Sequence, residues 1–155
     1  PEPDARVLDL YCGLGNFTLP LARRAGAVAG VEGDAGLIER ARANAARNGI
    51  DNARFHVADL AAAPPAEAPW LAGGATHVLL DPPRVGAAAL LGSVAALGPR
   101  RVVYVSCHPA TLARDLGLLV HEHGFKLVAA GVADMFPQTA HVESLAVLEP
   151  AGRGR

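Results

Sequence analysis

Arg6-Val7-Leu8-Asp9-Leu10-Tyr11-Cys12-Gly13-Leu14-Gly15-Asn16-Phe17 joins a strand pattern to a helix pattern through a turn with two glycines. The apolar run over 6–10 predicts a strand and the stretch 17–24 a helix. The glycines permit a tight turn and a close approach of the backbone to a ligand. Their spacing, Gly-x-Gly, lacks the third glycine of the dinucleotide fingerprint, which weakens a nicotinamide reading. Such turns occur in many folds, so the turn alone points only to a nucleotide-like ligand.

Outward from this turn, short apolar runs alternate with helical patterns. Strands are predicted over 6–10, 27–31, 53–57, 77–80, 101–105, 127–132 and 145–148, and helices over 17–24, 36–48, 87–97 and 109–123. Asn48-Gly49 is a common helix stop, Pro64, Pro65 and Pro69 mark a loop, and His121-Glu122-His123-Gly124 closes the fourth helix. Alternation of this kind predicts a doubly wound, Rossmann-like α/β domain: a mostly parallel seven-stranded sheet with helices on both faces. Ligands of such sheets bind at the carboxyl ends of the strands. Every motif below falls at one of those ends.

The chain has 155 residues, 51% of them hydrophobic, enough for one domain with a full core. Fourteen Lys and Arg against 15 Asp and Glu give a net charge of −1, so no strongly basic nucleic-acid surface is expected and the chain alone should bind RNA feebly. Two distant cysteines, Cys12 and Cys107, exclude a disulfide scaffold, argue against a metal cluster, and suit a reducing cytoplasm. No run of about 18 apolar residues predicts a membrane span. The start at Pro1-Glu2-Pro3, almost directly followed by a strand, reads as part of a longer protein.

Five further motifs carry chemistry. Val31-Glu32-Gly33-Asp34 ends the second strand about 20 residues past the glycine turn, where dinucleotide folds place a ribose-binding acid; Glu32 suits that role and Asp34 a helix cap. Asp59, after the third strand, stands where an adenine amino group could be bound, though a capping acid reads the same way. Asp81-Pro82-Pro83-Arg84 ends the fourth strand, and its two prolines hold an aspartate rigidly over the sheet edge.

Ser106-Cys107-His108-Pro109 ends the fifth strand and opens a helix with proline, setting a thiol beside a helix N-terminus, where an anion is favoured. A cysteine at a strand end is otherwise a small buried hydrophobe. Lastly, Asp134-Met135-Phe136-Pro137-Gln138-Thr139-Ala140-His141-Val142-Glu143-Ser144 precedes the seventh strand. Here Glu143, beside His141 and an apolar strand, is expected to be half-buried, with a pKa raised toward a base's working range.

Taken in order, the turn 8–15, the motif 81–84, Ser106-Cys107-His108-Pro109-Ala110-Thr111-Leu112-Ala113-Arg114-Asp115 and the motif 134–144 resemble the S-adenosylmethionine-dependent RNA 5-methyluridine methyltransferases. The resemblance covers essentially the whole chain. It implies S-adenosylmethionine as cofactor, contacted by Asp9, Tyr11, Gly13, Gly15, Asn16, Glu32, Asp59 and Asp81. It implies Cys107 as nucleophile and Glu143 as base, with Asp81, Pro82 and Arg84 against the target uracil. The wording of 134–143 resembles the ribosomal-RNA members more than the transfer-RNA member. His108 departs from the family's usual asparagine. The family's N-terminal OB-like RNA-binding domain and central domain, often with iron–sulfur cysteines, have no counterpart here, so residues 1–155 are expected to be a catalytic portion whose RNA is selected largely elsewhere.

That chemistry needs both a nucleophile and a base. Uracil C5 is a weak nucleophile; a thiolate adding at C6 makes C5 part of an enolate, and the methylated, saturated product is released only when a base removes the C5 proton. The target base must also leave its stack. Competing readings are an amino-group methyltransferase acting through residues 81–84, which would need neither Cys107 nor Glu143 and would usually carry an aromatic at Arg84, and a non-catalytic cofactor-binding module.

Overall fold

The computed structural model describes residues 1–134 and 142–152. Its order is β1 (Arg6–Leu10), α1 (Thr18–Ala22), β2 (Ala27–Glu32), α2 (Ala35–Arg47), β3 (Ala53–Val57), β4 (His77–Leu80), a 3₁₀ turn (Ala88–Leu90) running into α3 (Leu91–Ala96), β5 (Arg101–Ser106), α4 (Pro109–His121), β6 (Phe125–Ala133) and β7 (Glu143–Pro150). The seven strands form one sheet in the order β3-β2-β1-β4-β5-β7-β6. Strands β1 to β5 are parallel to one another, and β7 runs antiparallel between β5 and β6. The predicted Rossmann-like α/β fold is the one observed.

Side chains alternate between two cores, as the period-2 strand requires. On one face Leu8, Leu10, Val78, Leu80, Val102 and Tyr104 pack with Leu90, Leu91 and Val94 of the α3 region and Leu112 and Leu119 of α4. On the other, Val7, Val28, Ala53 and Phe55 pack with Ala22 of α1 and Ile38, Ala41 and Ala45 of α2. Beyond α1 this second face carries an open apolar groove of about 530 Å³, lined by Phe17, Leu21, Leu79, Val103, Val105 and Leu145 among others. Among the described residues no helix is long and apolar enough to cross a membrane.

Element ends depart from the sequence reading where local chemistry outweighs periodicity. Helix α1 is a single turn and a half rather than 17–24. The predicted helix 87–97 begins as a 3₁₀ turn. The last strand starts at Glu143, two residues earlier than 145, because β5 and β6 flank it on both sides and extend its ladder. Caps fell where expected: Asp34 Oδ1 accepts from Gly36 N at 2.7 Å and Leu37 N at 3.0 Å, and Asn48 closes α2 before Gly49 at φ +64°.

Replacing Asp34 by alanine orphans two N–H groups at the start of α2 and is expected to lower unfolding stability by about 1 kcal/mol. Urea denaturation checks this; Asp34→Asn, which keeps an acceptor, should lose no more than a few tenths.

Candidate active site

The sheet order reverses between β1 and β4, so the crevice of a doubly wound fold opens at the carboxyl ends of these two strands. The main chain there is cross-linked: Cys12 N donates to Val31 O at 3.0 Å, Ala58 N to Glu32 O at 3.0 Å, and Asp81 N to Leu10 O at 3.3 Å. Tyr11, Glu32, Gly33, Asp59, Leu60, Ala61, Asp81 and Pro83 surround a pocket of about 390 Å³. Four of the residues singled out in the sequence, Tyr11, Glu32, Asp59 and Asp81, thus meet around one cavity.

The turn after β1 contributes Tyr11 to the cavity's floor, while Gly13 and Gly15 are not among the lining residues. Gly13 and Gly15 lie at φ +53° and +85°, conformations that a side chain would strain. Tyr11, at φ +65°, takes that strain without being glycine, a cost of order 1–3 kcal/mol typical of ligand-binding loops. Its hydroxyl donates to Leu60 O at 3.0 Å, bracing the turn against the segment after β3. Asn16 is exposed just past the turn and is not among the residues lining the pocket.

Glu32 is held by backbone donors. Gly13 N donates to its Oε2 at 3.2 Å, while Gly33 N at 2.7 Å and Asp34 N at 3.2 Å donate to its Oε1. A carboxylate has about four acceptor sites, so Oε2 keeps one for a ligand. Asp59 Oδ1 accepts from Ala61 N at 2.8 Å, capping a turn rather than a helix.

Asp9 sits beneath this floor, fully buried. Thr18 Oγ1 donates to its Oδ2 at 2.5 Å, but Oδ1 has no partner among the described residues. Burial, and secondarily the charge of Asp81, push its carboxyl up to about 7. Asp81 is also shifted upward, first by burial and then by the charge of Glu143. The three acids therefore sense one another along the sheet edge. Three carboxylates and a phenol around one cavity, with an orphaned carboxylate oxygen beneath, fit a ligand that brings positive charge and hydroxyl or amino donors.

Cys107 and Glu143 are brought together by strand pairing. The β5–β7 register runs from Val102 opposite Leu148 to Ser106 opposite Ser144. Continued by one residue it sets Cys107 against Glu143, and both side chains are half-buried. Glu143 is the first residue of β7 and pairs with Ala133 on its other side. His141 and the rest of 135–141 lie outside the described residues. After Cys107, His108 caps α4: its Nδ1 accepts from Thr111 N at 3.3 Å, and Pro109 follows in the first helical turn. The histidine thus performs the acceptor function that asparagine offers at a helix start. Pro82 is buried while Arg84 is exposed, and Thr111 Oγ1 donates to the Arg84 carbonyl at 2.9 Å.

Sequence reading did not name Gly33, Leu60 or Ala61 as site residues, each within two positions of one it named, and gave Pro83 only a part in holding Asp81. It also passed over Tyr104, Arg114 and Asp115, whose signal was a charged pair on the otherwise apolar face of α4.

A family model described as a methyltransferase domain matches residues 1–69, and one described as tRNA (Uracil-5-)-methyltransferase matches residues 73–151. The chain belongs to the tRNA (uracil-5-)-methyltransferase family. It is 68% identical over 148 residues to the 23S rRNA (uracil(1939)-C(5))-methyltransferase RlmD of Alkalilimnicola ehrlichii, covering 96% of this chain and 33% of that protein. The protein of the same name from Xanthomonas axonopodis pv. citri is 61% identical over the same coverage. The chain spans about a third of the length of these relatives. Among solved structures it is similar to the Pyrococcus abyssi tRNA (uracil-54, C5)-methyltransferase in complex with S-adenosyl-L-homocysteine, with TM-score 0.79, 35% identity and coverage of 95% of this chain and 34% of that one. Thermus thermophilus TrmN follows at TM-score 0.74 and 26% identity, covering 96% of this chain and 45% of that one.

The buried carboxyl of Asp9 gives this uracil-methyltransferase-family domain a pH signature. An unfolded aspartate titrates near 4 and the folded one at about 7, so between these values the folded state holds the extra proton and stability falls as pH rises. Relative to Asp9→Asn, the wild type is expected to lose up to about 1.4 kcal/mol per pH unit across that window. Urea midpoints of both proteins at pH 5, 6 and 7 test it; a constant difference would remove Asp9 as the titrating group.

Proposed function

We propose that residues 1–155 form the catalytic domain of an enzyme that methylates C5 of a uridine in RNA, with S-adenosylmethionine as methyl donor and 23S ribosomal RNA as substrate. The observation that supports this reading is the β5–β7 register, which runs to Ser106 opposite Ser144 and so brings the strand ends that carry Cys107 and Glu143 side by side. An amino-group methyltransferase has no use for that pair. The ribosomal substrate is favoured over transfer RNA because the RlmD relatives reach 61% identity or more, against 35% for the transfer-RNA enzyme.

The pocket at β1, β2 and β4 fits the donor. Glu32 has an acceptor site left for the ribose hydroxyls, Asp59 faces the adenine side, and Asp81 with Asp9 behind it answers the positive charges of the amino acid and sulfonium. Bound there, S-adenosylmethionine supplies the electrophilic methyl group that C5 acquires.

The chain's own residues do the rest. Cys107, just ahead of the N-terminus of α4, adds its sulfur to C6 of the uracil, and the electron pair of the C5–C6 double bond moves into an enolate. Asp81, held by Pro82 and Pro83, faces the uracil ring, and exposed Arg84 is available to the RNA around it. Once C5 carries its methyl group, Glu143 takes the C5 proton. The electrons of the broken C–H bond re-form the double bond and the C6–S bond breaks, returning the thiolate to Cys107.

Removal of the ribose acceptor in Glu32→Ala is expected to weaken S-adenosylhomocysteine binding by about 1–3 kcal/mol, read by calorimetry. Unchanged affinity would take Glu32 out of the site.

Nucleophile and base stall the reaction at different points. Cys107→Ala should form no covalent RNA adduct and transfer no methyl group. Glu143→Gln should add and methylate, then accumulate an adduct that survives denaturing gels, with turnover lowered about 10²–10⁴-fold. Substantial turnover by Cys107→Ala would sink this mechanism and favour the amino-group reading; normal product release by Glu143→Gln would move the base to Asp81 or His141.

A further inference from the structure

The segment that follows Asp81-Pro82-Pro83 is gripped, residue by residue, by groups on either side of Cys107. The Arg84 carbonyl accepts from Thr111 Oγ1 at 2.9 Å, and the Val85 carbonyl accepts from Arg114 Nη2 at 2.8 Å. Gly86, at φ +82°, passes so close that a Cβ there would lie 2.6 Å from both Arg114 Nη2 and Asp115 Oδ2. Ala87 N donates to Asp115 Oδ2 at 2.7 Å and to the Tyr104 hydroxyl at 3.1 Å. Tyr104 in turn donates to Asp115 Oδ2, and Arg114 Nε donates to Asp115 Oδ1 at 2.8 Å.

Tyr104 lies three residues before Cys107 on β5, and Thr111, Arg114 and Asp115 lie four to eight residues after it on α4. Tyr104 and Asp115 are both fully buried. An ion pair whose arginine is half exposed contributes little to stability. What it supplies is directional: each donor and acceptor fixes one backbone atom of the loop against the helix. Strand β4 and strand β5 are neighbours through their sheet pairing, but that pairing stops at Leu80–Tyr104, before either motif begins. Beyond that point, among the described residues, this network supplies the hydrogen bonds that join the loop to β5 and α4.

We propose that Arg114 and Asp115, with Tyr104, are positioning residues that lock the loop after Asp81 to the helix after Cys107 and so set the distance between the uracil-facing residues and the nucleophile. The proposal rests on the uracil-C5 reading above. A misplacement of about 1 Å by a group remote from the chemistry can lower a rate about 10²-fold. The cofactor pocket is lined from the ends of β1, β2, β3 and β4, and it meets this segment only through Asp81 and Pro83, ahead of the first anchored carbonyl at Arg84.

The test uses the protein as its cell makes it, with 23S ribosomal RNA carrying 5-fluorouridine, whose C5 fluorine cannot be removed as a proton and so holds the adduct. In Arg114→Met, whose side chain is about half exposed, single-turnover adduct formation is expected to fall about 10- to 100-fold, with S-adenosylhomocysteine affinity unchanged within twofold. Asp115→Asn, which turns a donor toward the Arg114 guanidinium, should fall at least as far. Should it fail to fold, Arg114→Met alone decides. Arg101→Met, which removes the surface pair with Glu149 at the opposite end of β5, is the control and should form adduct at the wild-type rate. An Arg114→Met rate within twofold of wild type, or a loss of rate matched by an equal loss of cofactor affinity, would overturn the proposal while leaving the uracil-C5 reading intact. No adduct in the wild type would overturn that reading and this proposal with it.

Discussion

The reversal of β7 is the constraint on which the site depends. In a purely parallel sheet every strand delivers its last residue, never its first, to the functional edge. Strand β7 enters antiparallel between β5 and β6, so its first residue, Glu143, arrives at the edge where β5 ends. Run the other way, β7 would deliver that carboxyl to the opposite edge, about 23 Å away for a strand of eight residues. The antiparallel ladder also fixes register: a slip of one residue would turn Glu143 to the other face and carry Ala146 and Leu148 out of the core. The packing of β7 thus holds the carboxyl opposite the cysteine, and burial of apolar side chains is what keeps the register from sliding.

The same edge gathers like charge. Burial, and after it the charge of Asp81, raise the proton affinity of Asp9, and burial, and after it the charge of Glu143, raise that of Asp81. Such a row is a poor site for phosphate and a good one for a cation. In the proposed reaction this divides the work sensibly. The acids receive the cationic donor and the neutral uracil ring, while attraction for the RNA backbone has to come from basic surface away from this edge. A chain with net charge −1 that spans about a third of its relatives is consistent with that division.

How much of this was legible in the sequence follows from how local each signal is. All seven strands were readable because β-branched runs bounded by Gly and Pro depend on a few adjacent residues, and the caps Asp34 and Asn48 were readable for the same reason. The residues around the pocket, Tyr11, Glu32, Asp59 and Asp81, could be named because parallel topology carries every strand end to one edge. Asn16 was named with them, yet the structure leaves it exposed outside the lining. The pairing of Cys107 with Glu143 could be inferred only through resemblance, since nothing within either motif announces an antiparallel neighbour 36 positions away in sequence. The early start of β7 was missed because a polar Glu-Ser pair does not look like strand until two flanking partners complete its ladder. Asp115 was illegible for the same kind of reason: on a helix it reads as a solvated acid, and only the fold brings Ala87 N of the loop and the Tyr104 hydroxyl of β5 to it.

His108 shows which part of a motif is chemistry and which is scaffolding. At this position the resemblance calls for asparagine, and an amide-to-imidazole change beside a nucleophile would look disruptive if the side chain touched substrate. In the structure its Nδ1 instead accepts from Thr111 N, as a capping amide oxygen would, and its own backbone N donates to Ser106 Oγ at 3.0 Å. The requirement is therefore for a short side chain with an acceptor two bonds from Cβ, which asparagine and the Nδ1 of histidine both provide. The cap works only while Nδ1 carries no proton, so the imidazole must present its N–H at Nε2. A substitution that preserves the acceptor preserves the start of α4, and with it the helix terminus ahead of which Cys107 stands. Histidine at this position therefore keeps the backbone hydrogen bond that a capping asparagine would make.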